Sequence, residues 1–456
     1  MATTSFQGMP PEILSRIAFY TVDCATTVVA LPLVCKQAYI ASIPNLYAKV
    51  TERALPTLAK PSSECQELMG CRHPAYYVEH VRIAPDISND TFLTYFVDAF
   101  NNVSRYAKNK KSFTFQPFYL CDLRPVPRMA NFESNGFEAV SLRCSTPPNL
   151  PVDLFSSLMT ALCSRTLRNL TLDFHMVSVP VIFPVAANAL NNVQLRCPSL
   201  RTLHIVFDAL RQGPMTAMNA LFHSTSFVFP HLEDFHLFDI DGDLDIAAFL
   251  LRHPKIKKLG YVPGWTVDLL SFLKDPRLVP LLECFSGCGH VVPVVASYPF
   301  RPLTTVIITD WKPETSKLGH LIDGLLQIPS LRDLRFLQID CFTIDELRMF
   351  ESVFHTLELF ECNLIANSST PDKTIINSFY DFSTHISPSL SRLIVHTFYP
   401  KSYSLQNIHR DAIDRAWSGR TLTTALHISV VSDRDKQSLL ECHLSSVVPT
   451  VRSPSV

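Results

Sequence analysis

The chain has 456 residues, 47% of them hydrophobic and 18% charged, which is enough apolar side chain to build a core and too much for a globally disordered polypeptide. Such a length exceeds one compact domain, so two or three domains or an elongated repeat array are expected. Lys and Arg number 40 against 41 Asp and Glu, a formal net charge of -1 that leaves no electrostatic footprint for nucleic acid.

The short basic run Lys108, Lys110 and Lys111 reads as a solvated loop. Met1 to Gly8 has neither the charged nor the apolar region of a secretory signal, so none is expected. No apolar run reaches the roughly eighteen residues that span a bilayer, and Val28 to Cys35 is broken by Pro32. Thirteen irregularly spaced cysteines then read as reduced thiols in a cytoplasmic or nuclear protein. The sequons at Asn89, Asn102, Asn169 and Asn367 are chance matches on that reading.

Residues 9 to 50 carry the most information. Pro10 and Pro11 stand where a helix starts, and Ile13, Leu14, Ile17 and Ala18 follow at helical spacing. A second apolar segment, Val28 to Leu33, is stopped by Pro32. A third helix is expected from about Cys35 to Ile40 or Ser42, ended by Pro44. Three short helices in forty residues bury too little surface to stand alone.

Three parts of this stretch resemble an F-box: Met9-Pro10-Pro11-Glu12-Ile13-Leu14 with Ile17, then Leu33-Val34-Cys35-Lys36, then Asn45-Leu46-Tyr47 with Val50. Met9 stands for the usual opening Leu, a volume-conserving exchange, and Tyr47 for the closing Trp. The resemblance implies docking onto a Skp-type adaptor that links to a cullin and a RING subunit. Pro10, Ile13, Leu14, Ile17, Leu31, Val34 and Cys35 would face that adaptor. The competing reading makes the same residues a helical cap on the rest of the chain.

From about residue 76 one pattern returns: apolar, two variable positions, apolar, one variable, apolar. It occurs as Val78-Val81-Ile83, Phe137-Val140-Leu142, Leu167-Leu170-Leu172, Leu200-Leu203-Ile205 and Leu232-Phe235-Leu237. Later copies are Ile256-Leu259-Tyr261, Leu303-Val306-Ile308, Leu331-Leu334-Phe336, Phe354-Leu357-Leu359 and Leu390-Leu393-Val395, with weaker ones at Phe113-Phe115, Leu282-Phe285 and Leu426-Ile428. The closing alternation is the two-residue period of a strand. Proline often precedes it, as at Pro198, Pro230 and Pro329, and pre-sets an extended entry.

Between copies, Leu154-Phe155-Leu158-Leu162, Ile246-Phe249-Leu250 and Leu318-Leu321-Ile322-Leu325-Leu326 have helical spacing. Strand and helix in alternation, at separations such as 30, 33, 32 and 24 residues, resemble leucine-rich repeats, although their usual period is about 20–29. The Asn/Cys position of the consensus is filled once, by Cys362 in the copy beginning at Phe354. This part resembles the repeat regions of fungal F-box proteins. The expected fold class is α/β: a three-helix F-box (1–50), a connection (51–75), a degenerate repeat solenoid with a parallel sheet (76–444), and a tail (445–456). A doubly wound α/β enzyme competes, but only 12 glycines are present, with no dinucleotide, P-loop or G-x-S-x-G motif.

Cys284, Cys288 and His290 make at most half a zinc site, and Cys65, Cys71 and His73 are remote complements; buried thiols are the simpler reading. Asp239, Asp241, Asp243 and Asp245 lack EF-hand spacing and read as a polar loop, with Asp243 or Asp245 capping the next helix. No cofactor, metal, membrane or nucleic-acid partner is expected, and no catalytic set assembles from local motifs.

The function implied is therefore that of a non-catalytic substrate adaptor in a Skp–cullin–F-box ubiquitin ligase, with an unknown protein substrate on the repeats. The alternatives are a repeat scaffold outside any ligase and an α/β hydrolase or transferase. In each copy the residue between the second and third apolar positions points away from the core. This puts Thr171, His204, His236, Ile307, Arg335, Glu358 and Ile394 on an outward, substrate-facing surface. His204 and His236 are only two potential metal ligands, so solvated strand histidines are the simpler reading.

Overall fold

The computed structural model describes residues 9–20, 36–69, 72–84, 90–116, 129–132, 135–145, 152–175, 182–208, 216–240, 244–263, 273–310, 318–337, 346 and 348–365. It also gives the strand backbones at 392–398, 426–432 and 439–444. The chain divides into two units, Met1–His253 and Pro254–Val456. Among the described residues no helix is long and apolar enough to cross a membrane.

The first unit opens with helices α1 (Pro11–Tyr20) and α2 (Lys36–Ala48). Seven strands follow: β1 (Lys49–Thr51), β2 (His80–Ile83), β3 (Ser112–Phe115), β4 (Ala139–Ser145), β5 (Asn169–His175), β6 (Thr202–Asp208) and β7 (Asp234–Ile240). Each pairs in parallel with the next in the chain. The second apolar position of every copy falls in one row, Val81, Phe113, Val140, Leu170, Leu203 and Phe235, and all are buried. Helices such as Asp90–Tyr106, Val152–Leu162, Ile182–Arg196, Thr216–His223 and Ala247–Arg252 cover that inward face. Their phenylalanines meet those of the strands: Phe100 on Phe113, Phe155 on Phe174, Phe183 on Phe207, Phe222 and Phe249 on Phe235.

The second unit repeats the plan with β8 (Lys258–Pro263), β9 (Cys284–Cys288), β10 (Thr305–Asp310), β11 (Asp333–Phe336), β12 (Leu359–Ile365), β13 (Arg392–Phe398), β14 (Leu426–Ser432) and β15 (Leu439–Leu444). Pairing is parallel through β14. The final strand, which the repeat pattern did not contain, returns antiparallel on β14. The architecture is thus α/β, a leucine-rich-repeat-like β/α solenoid with a parallel sheet.

One turn recurs before the strands. The N–H of the first apolar residue donates to the carbonyl three residues back: Leu200 to Cys197, Leu232 to Phe229, Leu331 to Ile328, at 3.2 Å each. Pro198, Pro230 and Pro329 occupy the position just after the acceptor, where a fixed φ near −65° suits a β-turn. Proline therefore shapes the turn itself. In most repeats two backbone N–H groups then converge on one carbonyl of the preceding repeat, although at β4 Glu138 and Ala139 donate separately to Lys110 O and Lys111 O. Arg201 and Thr202 donate to Arg168 O at 2.7 and 2.9 Å, and Arg332 and Asp333 to Thr304 O at 2.8 and 3.1 Å.

Two expectations need correction. Helix α2 continues through Pro44 to Ala48, so this proline does not end it; it forfeits one N–H while its ring is tolerated. The copy read as Phe354-Leu357-Leu359 is shifted, because Leu334 pairs with Phe360 and Arg335 with Glu361. Its true members are Leu357, Phe360 and Cys362, each 0% exposed. Cys362 is hence a strand core residue, and its match to the consensus Asn/Cys position was accidental. Leu357 and Leu359 misled because a leucine on either side of Glu358 satisfies the pattern in two registers. The call on Leu31, Val34 and Cys35 lies outside the described residues.

Candidate functional site on the outward strand face

In the first unit, Thr171 of β5, His204 of β6 and His236 of β7 stand side by side in register, as the alternation predicted. Inward neighbours Leu203, Ile205, Phe235 and Leu237 are fully buried, whereas the outward three are half-buried. The two imidazole rings lie 4.1 Å apart, centre to centre. Asp234, two residues before His236 and therefore on the same face, completes the group. Its Oδ1 lies 3.2 Å from His204 Nε2 and 2.9 Å from His236 Nε2. Burial alone would raise the Asp234 carboxyl, but the hydrogen bonds from both histidines outweigh it and hold the group well below the usual carboxylate range. Among the described residues no Lys or Arg pairs with it.

The surroundings are mixed. Val206 and Phe238 form the next outward pair, with Phe238 edge-on to His236 at 5.3 Å. Arg143 of β4 and Asp173 of β5, three and two strands away from β7, form an ion pair at 3.1 Å. Asp234 was missed in the sequence because the histidines were read alone. The Asp234-x-His236 spacing was the available signal, since a period of two puts both side chains on one face.

In the second unit the corresponding row is Ser286, Ile307, Arg335 and Glu361, continued along the backbone register by Ile394. Ile307 is half-buried between the fully buried Val306 and Ile308, which fixes it as outward. Arg335 turns onto Asp333 of its own strand, with N–O distances of 2.6 and 2.9 Å. Glu358 does not belong here. It precedes β12, is exposed, and reaches back to Arg332 at 3.8 Å, so Glu361 replaces it on the face.

Of the N-terminal docking residues, Leu14 is buried, packed with Ala38 and Ala41 and flanked by Met9 and Ile17. Ile13 points outward at 45% exposure, as does Ile40 of α2 at 40%. The Pro10 carbonyl accepts the N–H groups of Ile13 and Leu14, starting α1. Leu14 is thus the residue joining α1 to α2, and the outward apolar surface is carried by Ile13 and Ile40.

Among the described residues Cys284, Cys288 and His290 do not come together as a metal-sized group; Cys288 is buried and His290 exposed. His73 accepts the Ala75 N–H and contacts the Lys60 carbonyl. Asp245 accepts the Ala247 N–H at 2.8 Å but stands one residue before the N-cap, which is Ile246 and has no side-chain cap bond, so the expected Asp245 cap is not formed; Asp241 and Asp243 lie outside the described residues.

No family model and no curated protein matches the sequence. Solved structures give weak likenesses. The leucine-rich-repeat protein LegL7 from Legionella pneumophila aligns over 69% of this chain and 88% of its own, with 11% identity and a TM-score of 0.37. A structure of the yeast Rad7 and Elc1 complex aligns over 86% and 94%, with 12% identity and a TM-score of 0.35. A Bacteroides fragilis protein aligns over 48% and 64%, with 12% identity and a TM-score of 0.33, so this chain spans less than two thirds of it. At such scores the likenesses carry no functional argument.

Proposed function

We propose that the chain is a non-catalytic substrate adaptor of a Skp–cullin–F-box ubiquitin ligase, with the N-terminal helices docking a Skp-type adaptor and the repeats holding a protein substrate. The observation that carries this reading is the α1–α2 pair. It is built around Leu14 and leaves Ile13 and Ile40 exposed, in the stretch whose sequence resembles an F-box. Large apolar side chains left in solvent by so small a core favour a partner. The outward row of Ile307, Arg335 and Glu361 supports a protein contact on the repeats, as an apolar anchor among charges suits an interface. The function is effective concentration: a tethered substrate meets the conjugating enzyme intramolecularly. Such a protein acts in the cytoplasm or nucleus.

The test is co-purification with a Skp-type adaptor. Ile13→Asp with Ile40→Asp should abolish capture by placing charge in a desolvated contact, while the melting temperature holds because both positions are exposed. Leu14→Asp would instead break the helix pair and say nothing about docking. Ile307→Asp with Arg335→Ala should lose substrate while retaining the adaptor. Undiminished adaptor capture by the first double variant refutes docking through Ile13 and Ile40, and no adaptor capture by the wild type leaves a repeat scaffold outside any ligase.

A further inference from the structure

His204, Asp234 and His236 form the one group of three or more potential ligand side chains found among the described residues, with their donor atoms all within 4.8 Å of one another. We infer that these three residues bind a divalent transition-metal ion, zinc being the geometric match, on the outward face of β6 and β7. With metal–nitrogen and metal–oxygen lengths of about 2.0–2.2 Å, the edges of a tetrahedral zinc site are about 3.3–3.5 Å. Two edges already stand near that value, at 3.2 and 2.9 Å. The third, between one ring nitrogen of each histidine, is no longer than 4.8 Å and closes by rotation of the imidazoles, whose side chains are 31% and 15% exposed.

The charge balance points the same way. A half-buried carboxylate faces two imidazoles, without a Lys or Arg partner among the described residues. A dication supplies the missing positive charge, and neutral imidazole with carboxylate is a donor set zinc accepts. Backbone pairing sets the geometry in advance. His204 and His236 are register partners, and Asp234 sits on the same face of β7. Three protein donors leave a fourth position toward solvent, open to water or to a donor from a bound partner. The inference is independent of the ligase reading.

The test uses the full-length protein, stripped with chelator and titrated with zinc in competition with a chromophoric chelator. One equivalent of wild-type binding should disappear in His204→Ala, Asp234→Asn and His236→Ala, each weakening that site by more than the roughly 10–100-fold of an outer-shell change. Circular dichroism of the metal-free variants checks the fold. Cobalt substitution gives a second readout: the visible spectrum of a tetrahedral nitrogen–oxygen site should appear in wild type and vanish in the variants. Unchanged zinc stoichiometry and affinity in all three variants, or no zinc binding by wild type, overturns the proposal and leaves a hydrogen-bonded Asp–His–His cluster.

Discussion

His253 closes the helix Ala247–Arg252 and is 3% exposed. Its Nε2 accepts the N–H of Phe229 at 2.9 Å, and its Nδ1 lies 2.7 Å from the carbonyl of Phe249. An amide N–H only donates and a carbonyl only accepts, so the ring is held neutral with its proton on Nδ1. A second proton would aim an N–H at the Phe229 N–H in an apolar site, where the ring also lies 4.0 Å from the Phe249 ring, tilted by 34°. Burial, partly offset by the Phe249 hydrogen bond, pushes the group from 6.5 down to about 4.

The sign follows from linkage. The unfolded chain takes up a proton near the ordinary histidine value, whereas the folded chain refuses it until about pH 4. Stability from this residue is therefore complete above about pH 6.5 and is lost as pH falls toward 4, by roughly 3 kcal/mol in all. Urea unfolding of wild type and His253→Phe across this range should show the wild type losing that much more stability on acidification. The variant starts lower, because the Phe229 N–H loses its acceptor. An NMR titration of the folded protein is decisive: a His253 midpoint near 6.5 refutes the reasoning.

Two further predictions concern backbone packing in the second unit. Arg301, 4% exposed, donates to the carbonyls of Val295 and Leu273 at 2.8 and 2.7 Å and to those of Asp275 and Leu278 at 3.3 Å. Arg301→Met should lower stability by about 3 kcal/mol, since buried carbonyls lose charged donors; an unchanged urea midpoint would contradict this. Gly287 pairs with Tyr261, and a Cβ there would overlap the Tyr261 carbonyl oxygen and lie 2.8 Å from Phe285 Cζ. Gly287→Ala should destabilise by about 1–3 kcal/mol in the same assay.

The strands were legible wherever three apolar positions stood clear of others, because a buried row permits one register only. Leu167-Leu170-Leu172 and Leu200-Leu203-Ile205 land as read. The signal failed where apolar residues crowd, as at Leu357 to Phe360, and weakened where a core position needs no side chain, as at Gly287 beside Tyr261. Polar contacts that stabilise the turns were invisible. Nothing in the sequence near Arg301 names the carbonyls of Leu273 or Leu278, which reach it through folding. Lys110 is similar. It looks like part of a solvated basic run, yet it is 5% exposed, bonded to the carbonyls of Ala107 and Asn135, and lowered by burial to about 8. Charge composition cannot distinguish a lysine that satisfies loop carbonyls from one that meets water.

The outward face was legible in position and only partly in chemistry, and the reason lies in what the fold demands. Each repeat asks for apolar residues inward and for a turn. Most also use a carbonyl that accepts two N–H groups, which residues of differing side chain supply: Glu79, Arg168, Arg201, Glu283 and Arg332 all do so. Side chains at the outward strand positions answer to none of these requirements. Composition there is free to differ between the units, and it does: Thr171, His204, Asp234 and His236 in one, Ile307, Arg335 and Glu361 in the other. A carboxylate held ionised between two imidazoles adds nothing to the strand register, which Leu203 and Phe235 fix from the other face. Removing it should therefore change what the face binds before it changes how the chain folds, and that separation lets a ligand role be told from a structural one.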